Sequence, residues 1–137
     1  VTRRPVIIDT NVVVAGLLAG DAASPVARIL DGMLAATFPF ATSEALLAEY
    51  RAVLVRPELR RQHGLTVTEV DALLTELVQH AIVLPGSGPP APDPGDQLLW
   101  DLLVARPDLL LVTDDQALQG DRGLLARIQS PRAFVDS

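Results

Sequence analysis

Val6-Ile7-Ile8-Asp9-Thr10-Asn11 (VIIDTN) decides the fold: three consecutive β-branched residues close on an acid. An apolar run without polar alternation is the mark of a strand buried on both faces, as in a parallel sheet. Leu109–Val112 repeats the pattern and runs into Thr113-Asp114-Asp115. Between these two runs the apolar spacing switches to helical. Val12–Leu18 is apolar and breaks at Gly20-Asp21. Ser24-Pro25 reads as a helix start, serine as cap and proline in the first turn, followed by Val26, Ile29, Leu30, Met33 and Leu34. Phe38–Ala41 reads as a strand, and Thr42 or Ser43 caps a helix to Val55 that Arg56-Pro57 stops. Thr66 or Thr68 opens a helix through Gln79, and Ala81–Leu84 is a further strand. A helix over Asp96–Ala105, a short helix over Gly123–Ile128 and a last strand over Ala133–Val135 complete the chain. Strands alternating with helices predict an α/β fold, its central, mainly parallel sheet covered on both faces.

The 137 residues are one domain's worth, since domains cluster near about 100–150 residues. Pro85–Pro94 (PGSGPPAPDP), with five prolines in ten residues, is the one candidate linker. Too few residues follow it for a second stable core, so it reads as a stiff surface loop within a single domain spanning 1–137. At 49% hydrophobic and 20% charged the composition is globular. The mean hydropathy of +0.31 is high, yet no apolar run approaches the ~20 residues that cross a bilayer. The opening VTRRPVIIDT reads as neither signal peptide nor anchor. The absence of cysteine excludes disulfides, thiolate metal sites and thiol nucleophiles, and a cytoplasmic location is the expectation.

Seventeen acidic against eleven basic residues, all of the latter arginine, give a net charge of −6. A protein that held nucleic acid by phosphate neutralisation alone would be basic. Either nucleic acid is not the partner or the carboxylates themselves do something there, and divalent-metal binding is the obvious candidate. In parallel sheets ligands sit beyond the carboxyl ends of the strands. Asp9 and the Asp114-Asp115 pair fall at two such ends. Each taken alone also fits a turn or cap residue. Glu49 lies about 40° from Val53 on the edge of the apolar stripe Leu46, Tyr50, Val53 and Leu54; the competing reading is a solvated glutamate paired with Arg56. Asp96 opens a helix, where it fits an N-cap as readily as a ligand. Asp101, amid leucines, reads as its helix's solvated point. Together Asp9, Glu49, Asp96 and Asp115 form an all-oxygen set. Several carboxylates in one cleft repel one another, and a hard cation, Mg2+ or Mn2+ rather than zinc, makes such a cluster tolerable.

Five segments in order along the chain resemble PIN-domain proteins: DTNVVVAGLL at 9–18, SEALLAEYRAVLVRPEL at 43–59, DPGDQLL at 93–99, LLVTDDQAL at 110–118 and SPRAF at 130–134. The branch they resemble most is the toxin components of bacterial toxin–antitoxin pairs. The resemblance implies a three-layer α/β/α sandwich and a Mg2+- or Mn2+-dependent endoribonuclease that cleaves RNA phosphodiester bonds. It carries the family acids over as Asp9, Glu49, Asp96 and Asp115. It makes Asn11 the residue that orients Asp9 and Thr113 a small polar partner. It also implies an RNA substrate, a cognate antitoxin protein covering the acidic cleft, and room for a homodimer. Two departures stand out: Asp114 where a small residue usually precedes the last acid, and Trp100-Asp101 where the family tends to be small or aliphatic.

The alternative is the same fold with weak or lost catalysis, acting as a protein- or RNA-binding module. A phosphatase of the haloacid dehalogenase type needs an aspartate where Asn11 stands, and a receiver domain needs a lysine, which this chain lacks. Arg56–Arg61 reads as a solvated interhelical turn, and His63 and His80 as ordinary residues rather than bases.

Overall fold

The computed structural model describes residues 4–85, 97–114 and 127–136. In chain order the elements are β1 (Val6–Ile8), α1 (Thr10–Leu18), α2 (Pro25–Leu34), β2 (Ala41–Thr42), α3 (Glu44–Leu54), α4 (Pro57–His63), α5 (Val67–His80) and β3 (Ile82–Val83). They continue with α6 (Gln97–Ala105), β4 (Leu110–Val112), β5 (Ile128–Gln129) and α7 (Pro131–Asp136). All strand pairings are parallel. β1, β4 and β5 form one ladder with Ile8 opposite Val112 and Val112 opposite Gln129; β2 and β3 form another. A bridge between Val6 and Phe40, with the Val6 N–H donating to Pro39 O at 3.2 Å, joins the two, so the strands lie in the order β3-β2-β1-β4-β5.

The reason for that arrangement is in β1. Successive side chains of a strand face opposite sides of its sheet, and Val6, Ile7 and Ile8 are all essentially inaccessible. The sheet is therefore covered on both faces, as the unbroken apolar run predicts. Leu46 and Leu54 of α3, Leu102 and Leu103 of α6, Leu109 before β4 and Leu111 within it are fully buried too, as are Ile29 and Met33 of α2 and Leu77 of α5. Helix starts follow the cap residues. Ser24 Oγ accepts from Ala27 N–H with Pro25 next, and Ser43 Oγ accepts from Leu46 N–H at 3.1 Å. Thr66 and Glu69 exchange reciprocal bonds, both 3.1 Å, in a capping box.

The structure corrects four expectations. The strand read over Ala133–Val135 is helix α7, and the strand precedes it at Ile128–Gln129. Ser130 Oγ accepts from Ala133 N–H at 3.1 Å and Pro131 fits the first turn, so a serine-proline start outweighs the β-propensity of Phe134 and Val135. The helix read over Gly123–Ile128 lies mostly outside the described residues, and Ile128 itself is in β5. Arg56–Arg61 is not a turn: Pro57 ends α3 yet begins α4, which closes on Gly64 at φ 75°. Asp101 is buried, at 7% exposure. On a helical wheel it falls between Val104 and Ala105, both exposed, so angular position alone predicts solvent there. Cover differs along the helix axis, which no wheel records.

His63 is a fastener between helices. Its Nδ1 accepts from Leu65 N–H at 2.9 Å, which leaves the proton on Nε2 to donate to Leu54 O at 2.9 Å, a carbonyl in the last turn of α3. His80 is exposed at the end of α5.

Gly16 marks where α1 and α2 approach closely. A Cβ at this position would lie 2.7 Å from Val26 O and 3.0 Å from Leu30 Cβ, so the two helices would have to part. Gly16→Ala is expected to destabilise the protein by about 1–3 kcal/mol despite alanine's better helix propensity. Urea denaturation checks this; a stabilised variant would show that α1 and α2 are not in this contact.

Candidate active site

The strand order reverses direction at one place. From β1 the chain crosses to β2 and then β3 on one side, and β4 and β5 lie on the other. Such a switch point, beyond the carboxyl ends of β1 and β4, is where parallel α/β sheets bind their ligands. The register sets Ile8 opposite Val112, so Asp9 and Thr113 leave the sheet side by side. Asp9 N–H donates to Val112 O at 3.0 Å, and Thr113 Oγ1 donates to Asp9 Oδ2 at 2.6 Å. Thr113 is completely buried and Asp9 is 7% exposed.

Asp9 stands at the N-cap position of α1, with extended φ and ψ of −60° and 146°, and its carbonyl accepts from Val12 and Val13 N–H. Its side chain makes no capping bond. The reading of Asp9 as a side-chain cap therefore does not hold. The carboxylate is turned across to β4 instead of being consumed by its own helix. A hydrogen bond to an ionised acceptor is worth about 1.5–3 kcal/mol, which offsets part of the cost of burying a carboxylate.

Glu49 comes from α3, half-buried as its place at the stripe edge predicts, and accepts a hydrogen bond from Thr10 Oγ1. The next residue, Tyr50, is buried and donates its hydroxyl to Ile8 O. Burial pushes the Tyr50 hydroxyl far above the usual tyrosine range, and the charges of Asp9 and Glu49 push it further the same way. Both carboxylates are thus near enough to one hydroxyl for their potentials to add. Asp114 follows Thr113 and is exposed. Asn11 is also exposed. Asp96 and Asp115 lie outside the described residues.

Thr10 and Tyr50 are the two participants that sequence reasoning missed. Tyr50 was counted as apolar stripe, although a buried tyrosine hydroxyl ordinarily finds a partner. Thr10 sat between two conspicuous residues, Asp9 and Asn11. Its signal was position: a threonine in the first turn of a helix has no preceding turn to bond back to.

Carboxylate and hydroxyl oxygens, without imidazole or thiolate, suit a hard divalent cation. Among the described residues no three acids or histidines gather closely enough to hold a metal ion. The parallel sheet and the acids at its switch point define an α/β protein with an anionic crevice. The chain belongs to the PIN-domain family: the family model, described as a PIN domain, matches residues 5–117. No curated protein matches the chain in a sequence search. PIN domains are typically nucleases that act with divalent metal ions. No helix among the described residues is long and apolar enough to cross a membrane.

Tyr50 is the only tyrosine of the chain, which makes its ionisation directly observable. Its raised pKa means that the folded state keeps a proton the unfolded chain releases above about pH 10. The stability this contributes is complete below that pH and is lost as pH rises beyond it. The phenolate absorbance band is therefore expected to appear only together with loss of the far-ultraviolet circular dichroism. A phenolate band in the folded protein near pH 10 would show that the hydroxyl is not held against Ile8.

Proposed function

We propose that this chain is a Mg2+- or Mn2+-dependent endoribonuclease, folded as one PIN domain over residues 1–137, and the toxin of a cytoplasmic toxin–antitoxin pair. The observation that carries the nuclease reading is the Asp9 carboxylate. It is buried at the switch point, unused as a cap, fixed by Thr113, and close to a second acid, Glu49. In this reading Asp9, Glu49, Asp96 and Asp115 hold the ion and are the catalytic acids, with Asn11, Thr113 and Asp114 in support. A divalent ion bound there supplies a Lewis acid for the phosphate oxygens and lowers the pKa of a water. The chain's own residues do the positioning. Thr113 holds one Asp9 oxygen toward β4, and Thr10 holds Glu49. A carboxylate offers about four lone-pair sites, so a hydroxyl donor and a metal ion can share one. The Tyr50 hydroxyl donates to Ile8 O beside Asp9.

The net charge of −6 agrees with RNA being held through a cation instead of through a basic face. The toxin role rests on resemblance along the chain from the DTNV segment to SPRAF. It implies a separate antitoxin chain that covers the acidic crevice, and a homodimer is compatible with it.

The test is cleavage of single-stranded RNA with magnesium, with manganese and with chelator. Asp9→Asn is expected to lower the magnesium-dependent rate by about 10²-fold or more, because metal charge stabilisation is worth several kcal/mol and each 1.36 kcal/mol is tenfold. Undiminished cleavage by Asp9→Asn would end the nuclease assignment of this crevice. If the parent protein binds RNA without cleaving it under any divalent ion, the binding-module reading takes its place.

A further inference from the structure

We infer that Thr10 and Tyr50 form a two-hydroxyl clamp that sets the separation of Asp9 and Glu49 and thereby the divalent-metal affinity of the crevice. The inference rests on the proposed metal-dependent reading. The two carboxylates are 40 positions apart in the chain and belong to different elements, so no local geometry fixes their distance. Two hydrogen bonds do. Consecutive residues of α3, Glu49 and Tyr50, bond to the residues on either side of Asp9: Tyr50 donates to Ile8 O, and Thr10 donates to Glu49.

Each bond uses a group that has few other outlets. In a strand the backbone groups of alternate residues point to the same side. Val6 N–H faces β2, where it meets Pro39 O, so the Ile8 carbonyl faces β2 as well, beyond the Val6–Phe40 bridge. Tyr50 fills the place left where that pairing ends. Thr10 is the first residue of α1 and is buried at 5% exposure, and its hydroxyl reaches across to α3. Core packing of Leu46 and Leu54 seats α3, and one bond adds a single fixed point on it. Two bonds from residues about 100° apart on the helix fix both the roll and the spacing. Thr10 and Tyr50 are positioning residues: they act on the ion through Glu49 and Asp9.

The experiment is manganese binding to the full chain, without RNA, measured by calorimetry and by the electron paramagnetic resonance of free Mn2+. The proteins are the parent, Asp9→Asn, Thr10→Val, Thr10→Ser and Tyr50→Phe, with melting temperatures recorded for each. Thr10→Val keeps the shape and loses the hydroxyl, and is expected to bind Mn2+ about 10–100-fold more weakly. Thr10→Ser restores the donor and is expected to bind as the parent does. Tyr50→Phe is expected to weaken binding in the same direction as Thr10→Val. A generally structural role would lower the melting temperature of Thr10→Ser and Thr10→Val without separating their affinities. If Thr10→Val and Tyr50→Phe bind Mn2+ as the parent does while Asp9→Asn loses it, the clamp is wrong and the metal site stands. If the parent binds no Mn2+, the metal-dependent reading falls and this inference with it. Should Thr10→Val not fold, Tyr50→Phe decides alone: parent-like affinity overturns the clamp and weakened affinity supports it.

Discussion

The pairing of β1 with β4 is the constraint on which the rest depends. It joins residues about a hundred positions apart, and its register makes Asp9 and Thr113 neighbours beyond the last rung. Slipping a strand by one residue would turn its side chains to the opposite faces. In β1 the core would barely notice, because Val6, Ile7 and Ile8 are apolar and buried alike. What would suffer is the site: Asp9 would meet Val112 or Asp114 in place of a hydroxyl. The unbroken apolar run is permissive about register, and the polar rung at its end supplies the specificity. A buried carboxylate with a matched donor thus serves the fold and the crevice together.

That rung also explains why one acid can be buried without a histidine or thiol beside it. A carboxylate removed from water needs donors, and Asp9 receives its backbone position from Val112 and a hydroxyl from Thr113. Glu49 is less buried and takes a hydroxyl from Thr10. Neutral hydroxyl donors hold a carboxylate in place without cancelling its charge, whereas a guanidinium would do both.

Much of the architecture was legible because it follows from local chemistry. Three β-branched residues in a row gave β1, Ser24-Pro25 gave one helix start, and the pairs Thr42 or Ser43 and Thr66 or Thr68 gave two more to within two residues. Places where local signals compete were harder. Arg56-Pro57 carries a stop and a start at once, and Ser130-Pro131 overrides three residues of strand-like composition. Asp101 is hidden by cover that varies along α6, a property of tertiary packing alone. Within the crevice, Asp9 and Glu49 could be selected by charge and position. The partners that hold them could not, since a threonine hydroxyl has no sequence signature until its acceptor is known. Asp96 and Asp115 lie outside the described residues, so their selection still rests on spacing and resemblance.

The two ends of the sheet differ in charge, and the difference follows from the parallel topology. Residues just before the strands gather at one edge and residues just after them at the other. Arg4 precedes β1, Arg106 and Asp108 precede β4, and Arg127 precedes β5. There Arg4 Nε donates to Asp108 O at 3.0 Å, and Arg106 pairs with the Asp108 carboxylate at 2.6 Å. Arg127 donates to the carbonyls of Leu103, Arg106 and Leu109, among them the last turn of α6, and its partial burial lowers its pKa. Cations at a helix C-terminus meet the negative end of the dipole. These three arginines are thus committed to backbone and to Asp108 at the edge remote from Asp9. A parallel sheet has the same carboxyl edge for every strand, so acids placed after strands accumulate there while strand-leading arginines cannot reach them. Charge separation of this kind is built from sequence position alone, and it gathers acids at one edge of the sheet.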